Sequence, residues 1–403
     1  MHTRRSFVRR TFAGYTLGAA ASPALGAART TDIDQTLRSG IESRMIPNAV
    51  GMVANAKETL YQGAFGVRDN SGVPVHPDSM YAIASMTKAV TTAAAMRMVE
   101  AGKISLDEPV GKFLPKLASP QVVRGFDATG APILSPARTP ITLKHLLTHT
   151  SGLCYSTWDA MSFRFSQHNK TPEDHEILMF EPGTRWQYGT GLDYAGRLVE
   201  KLSGMSLEDY FQSRIFKPLG MNDTSYILPA SKFDRAVTNW TRQKEGKLKQ
   251  AERRAPKPPK EFNGGGGLYS TAGDYVKFMQ MFLDGGRGVL KPATVASMEV
   301  NQIGAATAGK MKSFDPAVSA DVDIQPGHTE KWGLGFLINT DPYAGGRSAG
   351  SLAWAGLFNT FYWIDVKRSI CAVLLMQFLP FVDREAVGLL NDFEQAIYRA
   401  IQS

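Results

Sequence analysis

Ser85 and Lys88 lie three residues apart in the run Ala84-Ser85-Met86-Thr87-Lys88. On a helix that spacing puts both side chains on one face. The lysine amine can then reach the serine oxygen and help to remove its proton, which is what a serine nucleophile needs. A helix that begins here also points free backbone N–H groups at any oxyanion formed beside Ser85. A second serine competes, because Gly346-Arg347-Ser348-Ala349-Gly350 fits the G-x-S-x-G string. That chemistry needs a strand–turn–helix context with an acid and a histidine later in the chain. Here a strand-like run follows, and the last of the seven histidines, His328, precedes Ser348. His145 and His149 are four apart, as helical zinc ligands can be, but no glutamate follows His145 and no third ligand is evident. Both read as structural, and neither a metal nor a cofactor is implied. Gly264–Gly267 carries no G-K-[ST], so it reads as a tight turn between domains, not a phosphate loop.

The elements that must position Ser85 follow from the hydrophobic pattern. Tyr81–Ala84 is strand-like, and Thr87–Ala101, rich in Ala and Met with no breaker, predicts a buried helix. Upstream, Thr31–Ser43 has helical spacing, and Ala49–Ala54 and Thr59–Val67 predict two strands joined by the turn Asn55–Glu58. Leu106–Leu114 is a short charged helix or turn, and Pro115–Gly264 is helical and loop-rich with few strand-like runs. Ala272–Asp284 predicts a helix. Trp332–Ile338, Ser351–Ala355, Thr360–Asp365 and Ile370–Met376 predict strands, and Asp383–Ile401 a final amphipathic helix. Strands at both ends around a helical middle predict an α+β chain. A sheet-containing domain would comprise residues 29–115 and 265–403, with a mainly helical domain, 116–264, inserted. The active site would lie between the two.

Of the 403 residues 43% are hydrophobic, which excludes disorder, and two cysteines, Cys154 and Cys371, exclude a disulfide scaffold. Those two could form one bond or remain free. Residues 1–28 read as a leader. Thr3-Arg4-Arg5-Ser6-Phe7-Val8-Arg9 is a twin-arginine pattern, Thr11–Ala24 is weakly apolar, and Ala24, Gly26, Ala27 and Ala28 suit a signal peptidase. The expectation is a periplasmic protein exported by the twin-arginine machinery. Removing the leader takes four arginines and no acid, lowering the net charge from +8 to +4. That is too mild to argue for nucleic acid. No later apolar run is long enough to predict a membrane anchor. Arg242–Lys260 holds eight basic residues and three prolines with no interleaved aromatic, so it reads as a solvated loop.

Five segments in order carry a resemblance: Ile83–Thr92 (IASMTKAVTT), Ile141–Leu153 (ITLKHLLTHTSGL), Glu181–Gly196 (EPGTRWQYGTGLDYAG), Phe262–Tyr275 (FNGGGGLYSTAGDY) and Ala349–Asp365 (AGSLAWAGLFNTFYWID). Together they resemble the class C-like branch of the serine beta-lactamase and penicillin-binding-protein superfamily, and most of all its family VIII carboxylesterases. The resemblance spans about Pro47 to Met376. It implies a beta-lactamase/transpeptidase-like fold with an antiparallel sheet flanked by helices. It also implies roles: Ser85 as the acylated serine, Lys88 as its lysine, Tyr188 as the general base, and the backbone N–H groups of Ser85 and Leu357 as the oxyanion hole. Trp354-Ala355-Gly356 stands where class C beta-lactamases carry Lys-Thr-Gly, as in family VIII esterases. The glycine loop 264–267 would lie near the floor of the site. Asp193, Trp186 and Trp332 read as packing and supporting residues.

Two departures bear on substrate. Thr190 replaces the asparagine that grips a substrate amide, and Trp354 removes the lysine that would face a beta-lactam carboxylate. Charge-assisted contacts of that kind contribute roughly 1.5–3 kcal/mol each. Thr190, Trp354, Gly356 and Phe358 are the candidate pocket residues. The expectation is a serine carboxylesterase acting on short, neutral esters. The alternatives are a class C-like beta-lactamase or D-amino-acid peptidase, a transesterase, and a non-catalytic periplasmic binding domain.

Overall fold

The computed structural model describes residues 27–168 and 176–402. The leader falls outside these residues, apart from Ala27 and Ala28, which open the first helix, Ala27–Ser43. Among the described residues no helix is long and apolar enough to cross a membrane.

Seven strands form one antiparallel sheet in the order Glu330–Trp332, Leu337–Asn339, Leu352–Gly356, Thr360–Asp365, Ile370–Leu375, Asn48–Asn55, Thr59–Gly66. The two ends of the chain meet inside it, where Val50 pairs with Leu375 on one side and Ala64 on the other. Asn48–Asn55, Thr360–Asp365 and Ile370–Leu375 are buried along their whole length. That explains their near-continuous apolar runs: helices cover both faces. The first helix and the last, Arg384–Gln402, lie together on one face, and Ala272–Leu283 covers the other. The last helix presents Leu389, Leu390, Phe393, Ala396 and Ile397 inward, which is its 3.6-residue period made physical. The chain is therefore α+β.

The nucleophile region hangs on the edge of this core. Tyr81–Ala82 pairs with a distant strand, Tyr269–Ser270, and Ile83 N–H donates to Leu268 O at 3.0 Å. This pairing brings the glycine loop 264–267 beside Ser85. The helix that follows, Thr87–Glu100, is buried from Thr87 through Met96. It shows no amphipathic pattern because it runs through the interior, packed against Gly191–Ser203.

Three local expectations change. Trp332–Ile338 is two strands, not one, because a turn closed by Gly333 N–H to Phe336 O (2.8 Å) divides it. The strand before Ser85 stops at Ala82, and Ala84–Met86 is a 3₁₀ turn. The segment 116–264 also contains short strands. Gln121–Phe126 pairs with Pro132–Pro136 and Ile177–Leu178, and Trp240–Arg242 pairs with Leu248–Gln250 and, in parallel, with Phe378–Leu379. Strands of two or three residues carry too little periodicity to be read from sequence.

Candidate active site

Ser85 sits in the 3₁₀ turn that leads into the buried helix. The residue before it, Ala84, has φ +44°, a conformation that L-residues adopt only under constraint. The constraint is visible on both sides: Ile83 is tied to Leu268, and Met86 N–H donates to Ile83 O at 3.0 Å. One helical turn on, Lys88 is 1% exposed and spends all three of its N–H donors. It donates to Ser85 Oγ at 3.1 Å, to Tyr155 OH at 3.3 Å and to Gly265 O at 2.6 Å.

The Gly265 peptide is itself held, because its N–H donates to Asp193 Oδ1 at 2.7 Å. A Cβ on Gly265 would lie 2.6 Å from that same oxygen, so only glycine allows the approach. Burial by itself would lower the Lys88 pKa. Tyr155, Tyr188 and Asp193 around it more than reverse that and raise it. Lys88 is therefore held as an ammonium that donates to the Ser85 oxygen. Burial raises the Tyr155 pKa against the opposing pull of Lys88.

Tyr188 is buried in an aromatic box. Its ring centroid lies 4.7 Å from His149, 4.9 Å from Trp354, 5.3 Å from Tyr155 and 5.5 Å from Trp158. Lys88 Nζ stands 4.8 Å from its centroid. Trp354 Nε1 donates to Tyr188 OH at 3.3 Å. An indole can only donate, so the phenol oxygen is the acceptor in this contact. His149 Nδ1 accepts from Gly189 N–H at 3.3 Å and so holds the backbone next to Tyr188. Burial, then the nearby Lys88, push the His149 pKa well down, and its ring is neutral.

Beside Ser85 opens a cavity of about 470 Å³. Its wall includes Ser85, Tyr155, Trp158, Leu268, Leu357 and Phe358, and none of its lining residues is charged. Leu357 and Phe358 thus share one cavity wall with Ser85. Trp354, Thr190 and Gly356 do not line this cavity. Trp354 is behind Tyr188, packed at 4.7 Å on Trp332. Thr190 caps Gly191–Ser203, its carbonyl accepting Asp193 N–H at 2.9 Å. A Cβ on Gly356 would lie 2.3 Å from Ile83 O, so this glycine lets its strand approach the Ser85 turn. Tyr155 and the Asp193–Gly265 contact are the polar features of the site that the sequence did not disclose. Tyr155 lies two residues beyond the segment that ends at Leu153, and that adjacency was the available signal.

The remaining candidates fall elsewhere. Ser348 lies in a turn before a strand, its N–H bound to Asp365 Oδ2 at 2.8 Å. Arg347 is locked in a buried pair with Glu394 at 2.5 Å. His145 closes a capping box with Thr142. Cys154 and Cys371 are both free. Among the described residues no group of three or more His, Cys, Asp or Glu side chains is placed to hold a metal.

The chain is similar in sequence and in fold to known proteins. The family described as Beta-lactamase matches residues 33–396. Monacolin J acid methylbutanoyltransferase of Aspergillus terreus is 32% identical over 92% of this chain and 96% of its own. Lovastatin esterase of Penicillium rubens is 32% identical over 91% and 98%. Among solved structures, a mutant of the simvastatin synthase from Aspergillus terreus superposes with a TM-score of 0.81 at 30% identity, covering 93% of this chain and 96% of that one.

Proposed function

We propose that this chain, which belongs to the beta-lactamase family, is a serine enzyme that transfers acyl groups from carboxylic esters, uncharged around the reacting bond, to an alcohol or to water. The observation that carries the reading is the seat of Lys88, whose ammonium touches both Ser85 Oγ and Tyr155 OH at the wall of an uncharged cavity. Ser85 Oγ attacks the ester carbonyl, and its proton passes to Tyr188, whose oxygen faces the Trp354 N–H. The oxyanion rests on the backbone N–H groups of Ser85 and Leu357. The proton then goes to the departing alcohol, leaving an acyl-enzyme. A second alcohol or water enters by the same path in reverse.

The relatives support both outcomes of that last step, since one is a methylbutanoyltransferase and the other an esterase at equal identity. A beta-lactam carries a carboxylate close to the reacting amide, and an uncharged wall offers it no partner. We also propose export by the twin-arginine route to the periplasm, on the strength of the run Thr3–Arg9.

The test is p-nitrophenyl butyrate with increasing amounts of an alcohol acceptor. The expected result is faster p-nitrophenolate release and a new butyrate ester in place of free acid. Preference for nitrocefin over the ester, by kcat/KM, overturns the reading.

A further inference from the structure

The basic segment 242–260 has no part in the chemistry above, yet part of it lines a cavity that adjoins the one beside Ser85. A second cavity, of about 100 Å³, shares Ala82, Asn239 and Tyr269 with the first and is lined also by Glu252, Arg253 and Arg254. Its charge is unbalanced. Asp69 is the one carboxylate in contact with two guanidinium groups, at 2.7 Å from Arg68 and 3.3 Å from Arg253. Arg253 is immobilised by Ala236 O, Thr238 Oγ1 and Phe233 O and stacks on the Phe233 ring. Burial first, then Arg68, lower its pKa against the pull of Asp69 and Asp234.

Arg254 is mostly exposed, and its ion pair is with the equally exposed Glu252. Such pairs are weak and easily exchanged for another anion. Along the same segment Lys244, Lys247, Lys249, Lys257 and Lys260 are exposed and have no ion-pair partner among the described residues. The lining of this second cavity therefore carries two guanidinium groups against one carboxylate, while no residue that lines the first is charged.

We propose that this second cavity is a subsite for a carboxylate at the far end of the substrate, held by Arg254 with Arg253 behind it, so that the preferred esters are those with a distal carboxylate. The inference rests on the acyl-transfer reading and names the substrate class of that site. It also explains how the enzyme can take an anionic substrate through an uncharged catalytic cavity: the charge stays one cavity away from the ester.

Two ester series test it. One comprises p-nitrophenyl monoesters of succinic, adipic and suberic acids, which place the carboxylate on the acyl side. The other comprises acetates of ω-hydroxy acids, which place it on the alcohol side. Each is compared with neutral esters of equal length. The expected result is a preference for the charged ester of about 10-fold or more in kcat/KM in one series, mainly through KM. That preference shrinks at high ionic strength. Arg254→Gln brings the ratio near one, and Arg254→Lys keeps part of it. A ratio that Arg254→Gln leaves intact, or no preference in either series, overturns the subsite. Calorimetry of suberate binding to Ser85→Ala separates the two claims. Suberate binding that is independent of Arg254 sinks the subsite, whereas failure of the wild type to turn over any ester sinks the acyl-transfer reading.

Discussion

Asp193 touches neither the serine nor the cavity, yet Asp193→Ala should slow the reaction severely. Its Oδ1 anchors the Gly265 N–H at 2.7 Å, and the same residue presents the carbonyl that seats Lys88 Nζ at 2.6 Å. Hydrogen bonds to charged groups contribute about 1.5–3 kcal/mol. If that support acts on the transition state, the loss in kcat is about 10- to 150-fold. Asp193→Asn keeps an oxygen acceptor but no charge, so its loss should be smaller, about 5-fold. KM for p-nitrophenyl butyrate should stay within about 2-fold in both variants, because Asp193 is not on the cavity wall. Steady-state kinetics beside a thermal melt separate this from simple destabilisation. An Asp193→Ala enzyme with wild-type kcat and a lowered Tm, or one changed only in KM, refutes the reasoning.

Trp354→Phe keeps a ring in the aromatic box but removes the N–H that reaches Tyr188. It should lower kcat about 5-fold with little change in KM, and a rise in KM alone would return the indole to the substrate wall. Glu299 has a buried, unpartnered Oε1, and burial pushes its pKa up to about 7, against roughly 4.3 when unfolded. Its raised pKa means that stability is highest below about 4.3 and falls as pH rises toward 7. Discounted for partial exposure, Glu299→Gln should add about 1–2 kcal/mol at pH 8 and flatten that slope in urea titrations; an unchanged slope contradicts the assignment. Arg4→Lys with Arg5→Lys should leave a leader-bearing precursor in the cytoplasm of a twin-arginine-competent host, and undiminished periplasmic activity would refute that route.

What could be read in advance was local. Ser85 and Lys88 are three residues apart, and the 3₁₀ turn running straight into the buried helix brings them to 3.1 Å. The central strands announced themselves as apolar runs bounded by turns, because both faces of the sheet are covered. Contacts across the chain were not legible. Tyr155 meets Lys88 from 67 residues away, and Gly265 meets Asp193 from 72. Trp354 shows why residue type misleads: its apolarity suggested a pocket wall, while the fold uses its N–H against Tyr188. The basic segment read as solvent-facing in sequence, and only the pairing of Trp240–Thr241 with Phe378–Leu379 brings it beside the cleft.

The covalent intermediate tests the central claim most directly. Protein quenched during the first turnovers of p-nitrophenyl butyrate should carry one butyryl group by intact mass, and peptide mapping should place it on Ser85. Ser85→Ala should show no adduct and lose roughly 10⁴-fold or more of its turnover, while Ser348→Ala keeps both adduct and activity. A butyryl group on Ser348, or full turnover in Ser85→Ala with no adduct at any residue, would contradict acylation at Ser85.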